Sequence, residues 1–150
     1  MEACLLVDAD ACPRACLDIA RTLARAHGWP VVTVSSFHHD LAGLAGVQHV
    51  AVSDEPEATD LALANRVRPG DIVVTQDYGL AALALGKRAA ALSPGGRVYT
   101  AGNIDFLLAE RHIKAKYRRG GGRTRGPAAR TGVDDARFQH ALQRLLEAGQ

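Results

Sequence analysis

The chain has 150 residues, 47% apolar and 23% charged, which fits one domain with a buried core and excludes a disordered or fibrous polymer. Aromatics make up only 5%, so Ala, Val and Leu must carry that core, a composition suited to parallel strands under small helix contacts. A net charge of +2 hides an asymmetry: the first 110 residues hold 13 acids and 8 bases, whereas residues 111–133 hold eight bases and no acid.

"EACLLVDAD" at residues 2–10 predicts a short buried strand, Cys4 included, that ends in acid. Pro13 then fits the first turn of a helix, where its missing N–H costs nothing. Ile19 and Leu23 give that helix an apolar face, and His27-Gly28 ends it. "PVVTVSSF" at 30–37 and "VQHVAV" at 47–52 are the second and third strands. "EPEATDLALANRV" at 55–67 is a helix with acid in its first turns and Leu61 and Leu63 among its apolar positions. The turn "RPGD" leads into a fourth strand, "DIVVTQD" at 71–77, and a helix follows in "GLAALALGKRAA". "AALS" at 90–93 is a short fifth strand. This alternation predicts right-handed βαβ units, a mainly parallel sheet and helices on both faces, a three-layer α/β/α fold.

"TAGNIDFLLAERHIKAKYRR" at 100–119 predicts a further helix with a Thr or Asn cap, docked through Ile104, Leu107, Leu108 and Ile113. "GGGRTRGPAARTG" at 120–132 is Gly-rich and basic. A last amphipathic helix, over 134–148, is expected to be capped by Asp134, to pack through Phe138, Leu142, Leu145 and Leu146, and to end at Gly149. The most apolar helix is interrupted by Lys87 and Arg88, short of the roughly 20 residues needed to span a bilayer, so no membrane segment is expected. The acidic start argues against a secretory leader. Three cysteines, Cys4, Cys12 and Cys16, match no zinc or redox spacing, so reduced thiols with no disulfide partner in a cytoplasmic protein are expected. Cys12 reads as a small residue opening a helix rather than as a nucleophile.

Functional groups of an open parallel sheet collect at the carboxyl ends of its strands, near the point where strand order reverses. Asp8 and Asp10 end the first strand, and Asp77 ends the fourth. If these two strands flank the reversal, the acids meet. Glu57 and Asp60, at i and i+3, can add two carboxylates from one helix face on the same edge. Two carboxylates roughly 4 Å apart repel by about 4 kcal/mol at an effective dielectric near 20. Either protons or a cation must offset this, and an all-oxygen set of Asp8, Asp10, Glu57, Asp60 and Asp77 suits Mg²⁺ or Mn²⁺ rather than zinc. Thr75 can add a hydroxyl or orient a water. Such a site polarises a phosphodiester and activates an attacking water. Taken singly, these acids are ordinary caps and turn residues: Asp60 favours its helix dipole, and Asp77 precedes Gly79 as in an Asx turn. Taken together, their shared edge favours the cation reading.

A basic run on a helix can be merely its solvated face. Here Lys114, Lys116, Arg118 and Arg119 are followed by Arg123, Arg125 and Arg130 in a loop without neighbouring acids, which points to phosphate contact, with RNA or other nucleic acid as the expected partner. Arg14, beside the acidic pair, joins these candidates. Phe37, Tyr78 and Tyr117 are the candidate stacking aromatics, with core packing the favoured role of Phe37.

Several segments resemble the YaiI/YqxD family of uncharacterised bacterial proteins, which is placed among PIN-like (PIN/NYN-type) nuclease folds. They are "VDADACPR" at 7–14, "GDIVVTQDYGLA" at 70–81, "NIDFLLAERHIKAK" at 103–116, "GGRTRGP" at 121–127, and the Thr131, Asp135, Phe138 spacing. The resemblance covers nearly the whole chain. It implies a single PIN-like, Rossmannoid domain over 1–150 with additional C-terminal helices. It also implies acids that bind Mg²⁺ or Mn²⁺ and hydrolyse RNA, matched here by Asp8, Asp10, Asp60 and Asp77. Glu57 stands where the family is expected to carry Asp. Two alternatives stay open: a non-catalytic RNA-binding protein, and a haloacid-dehalogenase-like phosphatase with Asp8 as nucleophile and Asp10 as acid/base. "DADAC" lacks the Gly-Thr that usually follows in the latter. The oligomeric state is open, a homodimer included.

Overall fold

Apolar residues on both faces of a strand need a helix layer on each side, and the chain supplies both. The computed structural model describes residues 2–36, 46–124 and 129–149. In chain order the elements are β1 (Leu5–Asp8), a 3₁₀ turn (Ala9–Ala11), α1 (Arg14–His27), β2 (Val31–Ser36), β3 (Val47–Val52), α2 (Ala58–Arg66), β4 (Ile72–Val74) and α3 (Tyr78–Gly86). They are followed by β5 (Ala90–Leu92), β6 (Val98–Tyr99), α4 (Ala101–Arg119) and α5 (Gly132–Ala148). The strands form one sheet in the order β3-β2-β1-β4-β5-β6. Strands β1 to β5 pair in parallel, and β6 returns antiparallel to β5. In register, Val7 sits between Thr33 of β2 and Val74 of β4.

Alternation along each strand sorts the core into two clusters. Leu5, Val7, Val31, Ile72, Val74 and Leu92 face α1 (Cys16, Leu17, Ala20, Ala24) and α5 (Phe138, Leu142, Leu146). Leu6, Val32, Val34, Val73 and Ala91 face α2 (Leu63), α3 (Leu80, Ala81, Ala84) and α4 (Ile104, Leu107). The expected α/β/α layering and the mainly parallel sheet are therefore found. Gly28, at φ +74°, ends α1 in the left-handed conformation that glycine adopts without strain.

Several local expectations need correction. Cys4 precedes β1 rather than lying within it. Its N–H donates to Asp71 Oδ1 at 2.9 Å, and the N–H of Arg68 donates to Asp71 Oδ2 at 2.9 Å. Asp71 is thus a buried staple between the start of β1 and the turn before β4. α5 is capped by Thr131, not Asp134: the Thr131 hydroxyl accepts from the N–H of Val133, and Asp134 accepts from the N–H of Thr131, a reciprocal capping box. α4 uses the same device through Thr100 and Asn103. Leu61 (62% exposed) points outward from α2, whose buried residue is Leu63, and Ile113 (66%) points outward because α4 docks through Ile104 and Leu107 and leaves its second half in solvent. β6 follows a turn in which Gly96, at φ +91°, lies so close to α5 that a Cβ would stand 2.6 Å from the Arg137 carbonyl carbon.

All three cysteines are unpaired thiols. A hydrogen bond with Cys16, together with burial, pushes the Cys12 thiol far up, so it stays protonated. Among the described residues no helix is long and apolar enough to cross a membrane. Phe37 and Arg125 lie outside the described residues.

Candidate functional site

The strand order reverses between β1 and β4, whose connections leave to opposite sides and open a crevice at their carboxyl ends. Asp8 is the last residue of β1 and only 6% exposed. Thr75, one residue past β4, is fully buried. Its hydroxyl donates to Asp8 Oδ2 at 3.2 Å and accepts from the N–H of Asp77 at 3.0 Å. The Tyr99 hydroxyl donates to the Thr75 carbonyl at 3.1 Å and fixes that corner from β6. Asp77 caps α3 through Oδ1, which accepts from the N–H of Leu80 at 2.7 Å. A side chain with one donor and two lone pairs thereby links the ends of β1 and α3.

The 3₁₀ turn carries Asp10 out of the sheet. Both of its oxygens accept from the N–H of Ser36 at 3.1 Å, Oδ1 also takes the Ser36 hydroxyl at 3.3 Å, and Oδ2 takes the Thr59 hydroxyl at 2.8 Å. Asp10 thus ties the end of β2 to the first turn of α2. Asp60 lies in that same turn. Glu57 stands just before α2, in the left-handed region at φ +67°, so it does not share a helix face with Asp60. Asp8, Asp10, Asp54, Glu55, Glu57 and Asp60, with Ser36, Ser53 and Thr59, line an open depression of about 330 Å³. The sequence reading missed Ser36 and Thr59. The signal for them was a hydroxyl at a strand's carboxyl end and another one residue before a predicted acid.

Electrostatics couple these groups. Burial, then the charge of Asp60, push the Asp8 carboxyl up to about 6; the Thr75 hydrogen bond opposes this, and Asp10 and Asp77 add to it. Asp60 is also raised, by burial first, then by the charges of Asp77 and Glu57 and by a side-chain hydrogen bond with Asp77. Asp8, Asp10 and Asp60 thus line one depression, and Asp77, outside its lining, acts on them through its charge near Asp8 and its hydrogen bond with Asp60. Coordination geometry is a separate matter: among the described residues no group of three or more His, Cys, Asp or Glu side chains is already arranged to grip a metal ion. Asp10 and Asp77 are turned instead toward backbone N–H groups.

The basic candidates divide. Lys116, Arg119 and Arg123 are exposed. Lys114 pairs with Glu110 at 2.7 Å, Arg14 with Asp18 at 3.4 Å, and Arg118 donates to the Thr124 hydroxyl at 2.8 Å. Arg130, expected to lack a neighbouring acid, pairs with Asp135 at 2.8 Å. Tyr117 is exposed on α4, whereas Tyr78 makes an edge contact with Tyr99, at 5.8 Å between ring centroids.

The comparisons with known proteins concern the chain as a whole. The chain is 50% identical over 142 residues to a UPF0178 protein of Heliobacterium modesticaldum, covering 95% of each. It is 46% identical over 140 residues to one of Exiguobacterium sibiricum, covering 93% of this chain and 94% of that protein. With one of Alkaliphilus metalliredigens it shares 42% identity over 143 residues, 95% and 91% of the two chains. No solved structure matches it significantly. The profile of the uncharacterised YaiI/YqxD family matches residues 6–148, and the chain belongs to that family.

Proposed function

We propose that the carboxyl edge of the sheet is the active site of a divalent-cation-dependent nuclease acting on RNA phosphodiesters. The observation that carries this reading is Asp8: its buried carboxylate is penalised by three neighbouring acids, and no basic residue lines the depression among the described residues. An all-oxygen donor set of this charge fits Mg²⁺ or Mn²⁺. Asp8, Asp60 and Asp77 would hold the ion, with Asp10 and Glu57 at the rim. A cation there would polarise a phosphoryl oxygen and lower the pKa of water. Thr75 orients Asp8, and Asp10 keeps α2 against β2. Lys116, Arg119 and Arg123 supply exposed charge for the nucleic-acid backbone.

The test is incubation of the protein with Mn²⁺ and a panel of end-labelled single- and double-stranded RNAs and DNAs. We expect cleavage that EDTA and Asp77→Asn both abolish. An uncut panel would contradict the nuclease reading and leave RNA binding without cleavage as the second reading, supported by the exposed Lys116, Arg119 and Arg123. Binding itself should fall with salt. Replacing Lys116, Arg119 and Arg123 together by Ala should lower the log–log salt slope by about 2 for single strands. A slope unchanged by the substitutions would remove these residues from the interface.

A further inference from the structure

We propose that a second cavity, beside the acidic depression and walled by Arg97 and Arg130, binds the terminal phosphate monoester of a nucleic-acid strand. The proposal rests on the nuclease reading and names the substrate end that it acts near. The cavity is about 330 Å³ and is lined by Gln76 and Tyr78, the two neighbours of Asp77; Gln76 also donates to the carbonyl of Ala11, a lining residue of the acidic depression, at 3.0 Å. Arg130 is held rigidly on this wall: Nε donates to Asp135 Oδ1 at 2.8 Å and Nη1 to the Pro94 carbonyl at 2.6 Å. Its Nη2 is buried and has no hydrogen-bond partner among the described residues. That atom is closed to solvent, so Arg130 contributes a fixed positive charge to the cavity rather than this N–H. Arg97, on the same wall, is exposed and makes no side-chain hydrogen bond or ion pair among the described residues.

The acids of this wall are already engaged. Asp135 fixes Arg130, and Asp134 accepts from the N–H of Thr131 in the cap of α5. They offset the formal charge of the two arginines, so the cavity is not a general polyanion patch. It selects a group that offers several oxygens to the exposed guanidinium of Arg97 beside the fixed charge of Arg130. A terminal monoester offers three unesterified oxygens and up to two charges, whereas an internal diester offers two oxygens and one charge. The start of α5, 17 residues long, adds the positive end of its dipole at the same wall.

Fluorescence anisotropy with matched RNA oligonucleotides, ending in 5′-phosphate, 3′-phosphate or hydroxyl at both ends, tests this. The protein carries Asp8→Asn and is kept in EDTA, so cleavage plays no part. We expect one phosphorylated form to bind about tenfold more tightly than the hydroxyl form, a difference of about 1.4 kcal/mol. Arg97→Ala should erase that preference and leave the affinity for the hydroxyl form nearly unchanged. Equal affinity for all three forms, or a preference that survives Arg97→Ala, would overturn the proposal. A phosphate preference in a protein that never cuts RNA with Mn²⁺ would instead overturn only the nuclease reading.

Discussion

Asp8→Asn should remove RNA cleavage, on the order of a thousandfold or more, and should also make the metal-free protein more stable. The second effect follows from the site's electrostatics. Lifting this carboxyl from an ordinary 3.8 to about 6 corresponds to about 3 kcal/mol against the charged form in the folded state. Asp8 is buried, so solvent screening removes little of this. Between about pH 4 and 6 the native state binds the extra proton and the unfolded state does not. Stability attributable to Asp8 therefore falls as pH rises through that window and stays low above it. Asparagine keeps the shape and the acceptor for Thr75 but carries no charge. In urea denaturation with EDTA, the difference between variant and wild type should be near zero at pH 4 and reach about 3 kcal/mol above pH 6. Asp60, whose carboxyl is raised for related reasons, predicts the same sign on substitution. A variant less stable than wild type at pH 8 would mean that Asp8 is a structural acid and not a strained functional one. Stability exchanged for a charged site is a common signature of function.

The largest expected loss of stability comes from Phe138→Ala. Phe138 is fully buried on α5 and joins the cluster formed with α1 and one face of the sheet. Its loss removes apolar burial and leaves a cavity that two helices and a sheet cannot close, for about 3–5 kcal/mol. At this chain length that lowers Tm by roughly 10 °C. Val133→Ala, at an exposed position of the same helix, should stay within about 0.5 kcal/mol. A Phe138→Ala loss below about 1 kcal/mol would show that α5 is not a structural layer. Because the Gly96 turn lies against α5 at Arg137 and Phe138, this helix also sets the wall that carries Arg97 and Arg130.

Much of this was legible in the residues because parallel sheets impose simple rules. β1 and β4 had to be buried on both faces, so their apolar runs end abruptly in Asp8 and Asp77, and the order reversal placed those ends side by side. The stripe of Phe138, Leu142 and Leu146 is likewise a direct consequence of helical period. What escaped depends on partners distant in sequence. That Asp10 also ties β2 to α2 shows only when its partners appear 26 and 49 residues away, in Ser36 and Thr59. Asp71 reads as a turn residue in "RPGD", and only the partner N–H of Cys4 makes it a buried staple. Thr131 and Asp134 are both good caps, and reciprocity inside the box decides between them. Leu61 and Ile113 match a helical stripe but face water, since apolar residues are not obliged to be buried. A two-residue strand such as β6 leaves almost no periodic signal.

The central claim, a cation held by the acids of β1, α2 and the β4–α3 junction, is tested most directly by a crystal structure grown with Mn²⁺ and measured for anomalous scattering. The account predicts a peak within coordination distance of Asp8, Asp60 and Asp77 in the wild type and its loss in Asp8→Asn. An edge without anomalous density in wild-type crystals at saturating Mn²⁺, with Asp60 still hydrogen-bonded to Asp77, would contradict it.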